Sequence, residues 1–277
     1  MPIFHSKFRY RNKTNKDFGV IVTTFDDASG ENDSFLTMES STTEKPDGTS
    51  VFDYGARYSE VLETTVSFIK PSHELFTLQE SREIFKWLTG TKQVGWLDLY
   101  KADGTTIDYS LLGRFTDIQT QQLDNVSVIG FTATFTSSNP WAYSAVQTIH
   151  LELGEKRTMT INNLSDDLDT YIYPNVIFTN TLSSGELHIK NNTLDEELVL
   201  KNLAANEIVT IDSNQIIYSD KPNKIFGEDC NYKWLRFATG ENQLEISGTG
   251  SLTISYRYPI KVGNTLVDRE DIVGECD

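Results

Sequence analysis

The chain has 277 residues, more than one hydrophobic core usually fills, so the length predicts two domains. A hydrophobic content of 38% with 11% aromatic residues is typical of a folded protein and argues against a disordered one. The net charge of −16 disfavours nucleic acid as a general partner, because phosphate binding needs a basic face.

Membrane insertion, secretion and disulfide stabilisation are also disfavoured by the sequence. No apolar run approaches the roughly 20 residues of a membrane helix, and the first residues lack the order of a secretory signal. Cys230 and Cys276 are too few for a disulfide framework. We therefore expect a protein that is made and kept in the cytosol, or released by lysis.

Two segments before the predicted helix have the sequence pattern of strands. Residues 18–22 form a β-prone run, and residues 58–69 alternate, with Val66 and Phe68 on one face and Thr65 and Ser67 on the other. Five basic residues precede the first acidic one, Asp17: Lys7, Arg9, Arg11, Lys13 and Lys16. They are either the charged outer face of an edge strand or a docking surface for an acidic neighbour.

Residues 26–50 are acidic and rich in Ser, Thr and Gly, with Asp47 and Gly48 at a predicted turn. Such a composition cannot fill a core, and a loop of this length in a compact domain is usually functional or disordered. We interpret it as an arm that reaches toward another subunit, or as a mobile hairpin. The candidate residues of a subunit interface in and beside this segment are Phe25, Phe35, Lys45, Asp47 and Gly48.

One helix is predicted, from about Leu78 to Thr89. Thr77 and Glu80 form a predicted capping box, and Leu78, Ile84, Phe85 and Leu88 are expected on one apolar stripe, with Gly90 at the C-terminal end. A hairpin of residues 94–100 and 107–112 follows, turning at Asp103 and Gly104. The first domain is therefore α+β, mainly β.

The two domains meet after a strand in which the buried face changes parity at Gly130, where a β-bulge would absorb one extra residue. Pro140 ends this strand, and Trp141 and Tyr143 follow directly. These two rings are either a hydrophobic plug between the domains or part of an exposed binding surface. The predicted boundaries are residues 1–142 and 143–277.

The second domain shows only short strands at close spacing, which predicts a two-sheet β-sandwich of jelly-roll type. The clearest hairpin is predicted where residues 244–247 and 252–258 alternate on either side of Gly248, Thr249 and Gly250. Tyr232 and Trp234 alternate in NYKW, so their rings are expected on one side, where they are a candidate glycan contact.

No motif in the sequence indicates catalysis. HExxH, GxSxG, Walker and GxGxxG patterns are absent, and the four histidines are scattered. The carboxylates at Asp166, Asp167 and Asp169 lack the glycine and the closing Glu of a calcium loop. We therefore expect no catalytic residue, no metal site and no cofactor.

The order of the segments FGV, YSEVLETTVSF, REIFKWLTG, GWLDLY, FTATFTSSNPWAY and GENQLEISGTGSLTISYRY resembles the distal tail protein family of long-tailed phages infecting Gram-positive bacteria. The resemblance spans nearly the whole chain. It implies a virion protein whose first domain, sandwich-like and with one helix, forms a hexameric ring at the lower end of the tail tube. It also implies a galectin-like second domain on the outside of that ring.

The resemblance implies an assembly hub of the baseplate, with no enzymatic activity. Its implied partners are further copies of the chain, the tail tube protein, a tail-associated fibre or lysin, and receptor-binding or other baseplate proteins. Its implied location is the distal end of the tail, after assembly in the host cytoplasm. The alternative function is a cell-wall carbohydrate-binding module.

Overall fold

A computed structural model describes residues 5–23, 38–46, 48, 50–58, 61–123 and 127–262. The chain divides into two compact units. The first unit comprises residues 1–143 with 261–277, and the second unit comprises residues 144–260. Both are built mainly from strands, which confirms the predicted fold class. Among the described residues, no helix combines the length and apolar composition needed to cross a bilayer.

The first unit contains ten described strands and one α-helix. They are β1 Phe8–Tyr10, β2 Lys13–Thr14, β3 Ile21–Thr23, β4 Met38–Glu44, β5 Val51–Tyr58, β6 Glu63–Ile69, α1 Leu78–Thr89, β7 Gly95–Tyr100, β8 Ile107–Gln122, β9 Val128–Ser137 and β10 Ala142–Tyr143. The large antiparallel sheet has the order β2-β1-β7-β8-β9-β6-β3, and off this path β10 also pairs with β8. A separate two-stranded sheet consists of β4 and β5.

Helix α1 forms where it was predicted, with the Thr77–Glu80 capping box in place. Its buried residues include Ile84, Leu88 and Trp87. Trp87 was not among the residues expected on the apolar stripe. Its ring stacks on Phe18 at 4.4 Å between centroids, and its indole donates a 2.8 Å hydrogen bond to the Tyr10 carbonyl. Trp87 therefore fixes the helix to the amino-terminal strands of the first unit.

Two details of the helix differ from the prediction. Leu78 is 69% exposed, and its neighbours Thr77 and Gln79 in the first turn are exposed as well. Gly90 caps the helix in a right-handed conformation with φ −66°, so glycine is not needed there for a positive φ. The periodicity located the helix, whereas the extent of the neighbouring sheet decides which apolar residues are covered.

The predicted bulge before Gly130 is present. Gln121 pairs with Gly130, and the next residue, Gln122, pairs with Val128, so Ile129 is the additional residue on β9. Beyond this point Phe131, Ala133 and Phe135 are all fully buried. The bulge thus resets the strand so that the aromatic face points into the core.

The second unit contains strands in two sheets. They are β11 Gln147–Leu153, β12 Arg157–Asn163, β13 Asn175–Asn180, β14 Ser184–Asn191, β15 Glu196–Ala204, β16 Ile208–Ile211, β17 Ile217–Ser219, β18 Gly240–Gly248 and β19 Gly250–Tyr256. A further short strand, β20 Pro259–Ile260, belongs to neither of these sheets. One sheet has the order β11-β19-β13-β16-β17 and the other has the order β12-β18-β14-β15. Buried side chains from both sheets, such as Phe178, Leu187 and Ile246, share one core, so the unit is a β-sandwich.

The predicted hairpin of residues 244–258 is wrong. β18 pairs with β12 and β14, whereas β19 pairs with β11 and β13, so the two consecutive strands lie in opposite sheets. Gly250 has φ +145°, and a Cβ added to it would lie 2.0 Å from the Thr179 carbonyl oxygen. The alternation was correct because both strands face the same core, but alternation does not identify a strand's partner.

Candidate functional site

The hairpin of β4 and β5 is the most exposed part of the first unit. Every described side chain on β5 is exposed, including Val51, Phe52 and Tyr54 at 49%, 47% and 67%. On β4, the described side chains of residues 39–44 are exposed as well. Arg57 and Glu39 form an ion pair across the strands at 3.2 Å, but both side chains are in solvent. The hairpin therefore presents apolar area that nothing in the described chain covers.

Local geometry explains how the hairpin closes and bends. The Lys45 amide donates to the Ser50 carbonyl at 3.0 Å, and the Gly48 amide donates to the Lys45 carbonyl at 2.9 Å. The register shifts between Ser40 and Thr42, where β5 contains one additional residue. Gly55 lies in this region with φ +97°, a conformation that favours glycine.

Of the predicted subunit-interface residues, two are described. Lys45 places its ammonium 5.2 Å from the centroid of the Phe52 ring, and Gly48 forms the turn with φ +67°. Phe25, Phe35 and Asp47 lie outside the described residues. No role was predicted for Val51, Phe52 or Tyr54, although the β-prone run VFDYGARY after an Asp-Gly turn is a usable hairpin signal.

The three residues predicted at the domain join have contacts within the first unit. Trp141 is 6% exposed and lies edge-on to Tyr58, with ring centroids 5.3 Å apart. Tyr143 is half-buried, packs edge-on against Trp96, and accepts a 2.9 Å hydrogen bond from the Asn139 carboxamide. Pro140 follows the last residue of β9 by three positions and is half-buried. Trp141 therefore does not belong to an exposed binding surface.

The predicted glycan residues lie together in the second unit. Tyr232 and Trp234 have ring centroids 5.7 Å apart at an interplanar angle of 82°. Tyr232 is 48% exposed and has φ +53°, whereas Trp234 is half-buried. Their segment is a loop, not a strand, so the strand alternation that motivated their pairing does not apply. Trp234 also lines a cleft with Tyr173 and Gln215.

Basic residues of the amino-terminal segment donate hydrogen bonds to other residues of the first unit. Arg9 donates from Nε and Nη2 to the buried carboxylate of Asp98, at 3.0 and 2.8 Å. Lys7 donates a 2.6 Å hydrogen bond to the Gly104 carbonyl. Lys13 lies on β2, the last strand of the large sheet, as expected for a charged edge strand.

The two carboxylates with the most strongly lowered pKa values, Glu80 and Asp103, have local structural roles. The pKa of Glu80 is lowered to about 2, first by Lys70 and then by the amide and hydroxyl of Thr77. The pKa of Asp103 is also lowered, because its carboxylate accepts hydrogen bonds from Thr106 and Thr105 in a turn. Neither carboxylate is one of a convergent pair with opposed shifts, the arrangement used for acid and base catalysis.

Comparison with known proteins identifies phage tail families along nearly the whole chain. Residues 4–139 match a family described as phage tail protein N-terminal domain, and residues 141–256 match one described as phage tail C-terminal domain. No protein with a curated description is significantly similar to this chain.

Solved structures share the fold. The crystal structure of SPP1 Dit (gp 19.1), described as a paradigm of hub adsorption apparatus in Gram-positive infecting phages, matches with a TM-score of 0.57 and 12% identity. The match covers 92% of this chain and 98% of that one. A chain of the phage P2 baseplate, in its activated conformation with Sr, matches at 9% identity and a TM-score of 0.49, covering 91% and 97% of the two chains. The two family matches follow one another along the sequence, and the chain therefore belongs to the phage tail proteins that they describe.

Proposed function

We propose that this protein is the hub of a phage tail tip. In this role, copies of the chain close into a ring through the β4–β5 hairpin. The ring joins the tail tube to a tail-associated fibre or lysin. The observation that carries the proposal is the exposed two-stranded sheet, in which Val51, Phe52 and Tyr54 are in solvent.

Elementary energetics favour a partner for this hairpin. An isolated two-stranded hairpin is at best marginally stable in water, because it has too little apolar contact to offset the cost of ordering its backbone. In the described part of the chain, β4 and β5 pair only with each other, so their outer edges are also available. Docking on a second copy would bury the apolar side chains and offer those edges a partner.

A ring follows if the hairpin of one subunit meets a different surface of the next. Such head-to-tail contacts close into rings when the rotation between subunits divides a full turn. The proposed stoichiometry of six rests on the family resemblance of the sequence. The acidic net charge of −16 would help to keep free subunits soluble in the host cytoplasm until the partners of the tail assemble.

The proposed role is structural, not catalytic. Membership of the phage tail families supports this, and so does the use of the perturbed carboxylates Glu80 and Asp103 in a helix cap and a turn. Receptor-binding and other baseplate proteins are proposed as additional partners on the outside of the ring. The likeness to SPP1 Dit, described as a paradigm of hub adsorption apparatus in Gram-positive infecting phages, supports the same role.

The proposal can be tested on assembled particles. A phage that lacks this chain is complemented with the wild-type protein, with Phe52→Glu combined with Tyr54→Glu, or with the control Tyr218→Glu. Tyr218 is 56% exposed and lies in the second unit, so the control places a glutamate at an exposed aromatic residue outside the hairpin. We expect complete tails with the wild-type protein and with the Tyr218→Glu control, and none with the hairpin variant.

Immunogold labelling and mass photometry complete this experiment. Antibodies against the wild-type chain should label only the distal tail end, and rings or their subassemblies should disappear for the hairpin variant. Particles without label at the tail end would overturn the hub. Intact tails with the hairpin variant would overturn the proposed role of β4 and β5.

A further inference from the structure

A cationic surface lies at the β2 end of the large sheet, although the chain as a whole is acidic. Arg11 is half-buried in the turn between β1 and β2, and it donates a hydrogen bond to the Gln93 carbonyl. This contact brings the turn beside the segment of Lys92, which precedes β7. We use the name basic surface for four residues of this region: Arg11, Lys13, Lys16 and Lys92.

The positive charge of the basic surface is only partly compensated. Among the described residues, none of its four side chains forms an ion pair. The Lys13 ammonium lies 5.2 Å from the centroid of the Phe18 ring, and Lys16 is exposed on the same short 3₁₀ helix as Phe18. The one carboxylate in this helix is Asp17, which accepts hydrogen bonds from the amide and hydroxyl of Thr14. The surface therefore keeps an excess of positive charge.

The β4–β5 hairpin separates its charges between its two faces. Residues directly opposite in an antiparallel pair share a face, and so do residues two positions apart on one strand. Glu44 lies opposite Val51, and Asp53 is two positions after Val51, so these three exposed residues share one face. Phe52 points to the other face, where Lys45 approaches its ring. The acidic face, defined by Glu44, Val51 and Asp53, carries no described cation.

Charge complementarity favours contact between these two surfaces of neighbouring copies. Each copy has a net charge of −16, so identical copies repel one another unless surfaces of opposite charge meet. The basic surface and the acidic face lie on different strands, and contact between them joins copies head to tail, as ring closure requires. Val94 lies beside the basic surface and is 43% exposed, so it offers an apolar contact for Val51.

We propose that the basic surface of one copy receives the acidic face of the β4–β5 hairpin of the next copy. The inference rests on the proposed ring, and it names the surface that the hairpin meets. The carboxylates of Glu44 and Asp53 lie against the basic surface, and Val51 packs on Val94. Exposed ion pairs contribute little affinity individually, so the apolar contact holds the copies together while the charges select the partner and its orientation.

Charge exchange in a phage that lacks this chain tests the contact. The first variant is Lys13→Glu with Lys16→Glu, the second is Glu44→Lys with Asp53→Lys, and the third combines all four substitutions. Complete tails are counted by electron microscopy, and circular dichroism of each purified protein shows whether it folds. If the fourfold variant does not fold, the single exchange Lys16→Glu with Glu44→Lys takes its place.

The control is Lys201→Glu with Lys233→Glu, which makes the same charge change at two exposed lysines of the second unit. We expect the first and second variants each to reduce complete tails by about tenfold or more, because attraction becomes repulsion at every contact. The combined variant should recover tails to within about threefold of wild type, since opposite charges meet again. The control should match wild type.

The outcomes separate this inference from the proposed hub. Unchanged tails in the first variant, or no recovery in a folded combined variant, would overturn the basic surface as the receiving surface. Loss without recovery would assign the basic surface to a different acidic partner. Intact tails with Phe52→Glu and Tyr54→Glu would instead overturn the role of the hairpin itself, whatever the lysine variants do.

Discussion

Tyr58 and Trp141 pack edge-on with their ring centroids 5.3 Å apart, and this contact anchors the exposed hairpin to the first unit. Tyr58 is the last residue of β5, and Trp141 lies between β9 and β10. An element that is exposed along its length is therefore fixed at its base by a buried ring. The contact therefore limits the movement of the end of β5 relative to the first unit.

Trp141→Ala should destabilise the protein by about 3 kcal/mol or more, because truncation of a buried large aromatic leaves a cavity. Trp141 is 6% exposed, whereas Leu123 is 75% exposed. Leu123→Ala is therefore the control, expected to change the free energy of unfolding by less than about 0.5 kcal/mol. Urea unfolding followed by circular dichroism measures both. Equal effects of the two substitutions would contradict the anchoring role.

Asp98→Ala should be more destabilising than the combined change Asp98→Leu with Arg9→Met. Asp98 is buried and accepts hydrogen bonds from Arg9 and from the Ser110 hydroxyl, the latter at 2.6 Å. In Asp98→Ala the Arg9 guanidinium and the Ser110 hydroxyl lose the carboxylate as their acceptor, which costs about 3 kcal/mol. In the double variant, the two apolar side chains leave no unpaired charge. Urea titration of the three proteins gives the comparison, and a double variant as unstable as Asp98→Ala would refute the argument.

Glu80→Gln should make stability less dependent on pH between about 2 and 4.5. The folded-state pKa of Glu80 is lowered to about 2 from 4.5, first by Lys70, so the charged carboxylate stabilises the fold above pH 4.5. This contribution is lost as the pH falls through about 2. The wild type should therefore exceed Glu80→Gln in stability at pH 6 and approach it near pH 2.

Chemical unfolding at a series of pH values measures this convergence. The magnitude will be small, because Glu80 has a side-chain exposure of 43% and its ion pair with Lys70 is screened by solvent. Asp53→Asn, on the exposed hairpin, serves as the matched carboxylate control. A constant difference between wild type and Glu80→Gln from pH 6 to pH 2 would contradict the assigned pKa.

Gly250→Ala should destabilise the second unit by about 2 kcal/mol or more. The new Cβ would lie 2.0 Å from the Thr179 carbonyl, and the φ of +145° is unfavourable for alanine. Gly154 has open space around its position, so Gly154→Ala is expected to change stability by less than about 0.5 kcal/mol. Thermal unfolding distinguishes them, and a Gly250→Ala protein as stable as wild type would rule out the close approach.

Local sequence signals were sufficient to locate helix α1 and the bulge on β9. The Thr77–Glu80 box located helix α1, and the parity change before Gly130 located the bulge on β9. The second unit contains short strands in close succession, as its sequence predicted, among them β11 to β17. These features depend on hydrogen bonds and side-chain periodicity within a few residues, which is information that a sequence carries directly.

The tertiary structure decided which of these elements meet. β18 and β19 alternate like a hairpin, yet each pairs with strands distant in sequence, because both faces of the sandwich need the same alternation. Long-range packing also decides that Phe52 is exposed, that Trp141 is buried and that Tyr173 and Trp234 line one cleft. Composition and periodicity alone determined a mainly β chain, whereas coverage of each side chain depends on long-range packing that only the folded chain defines.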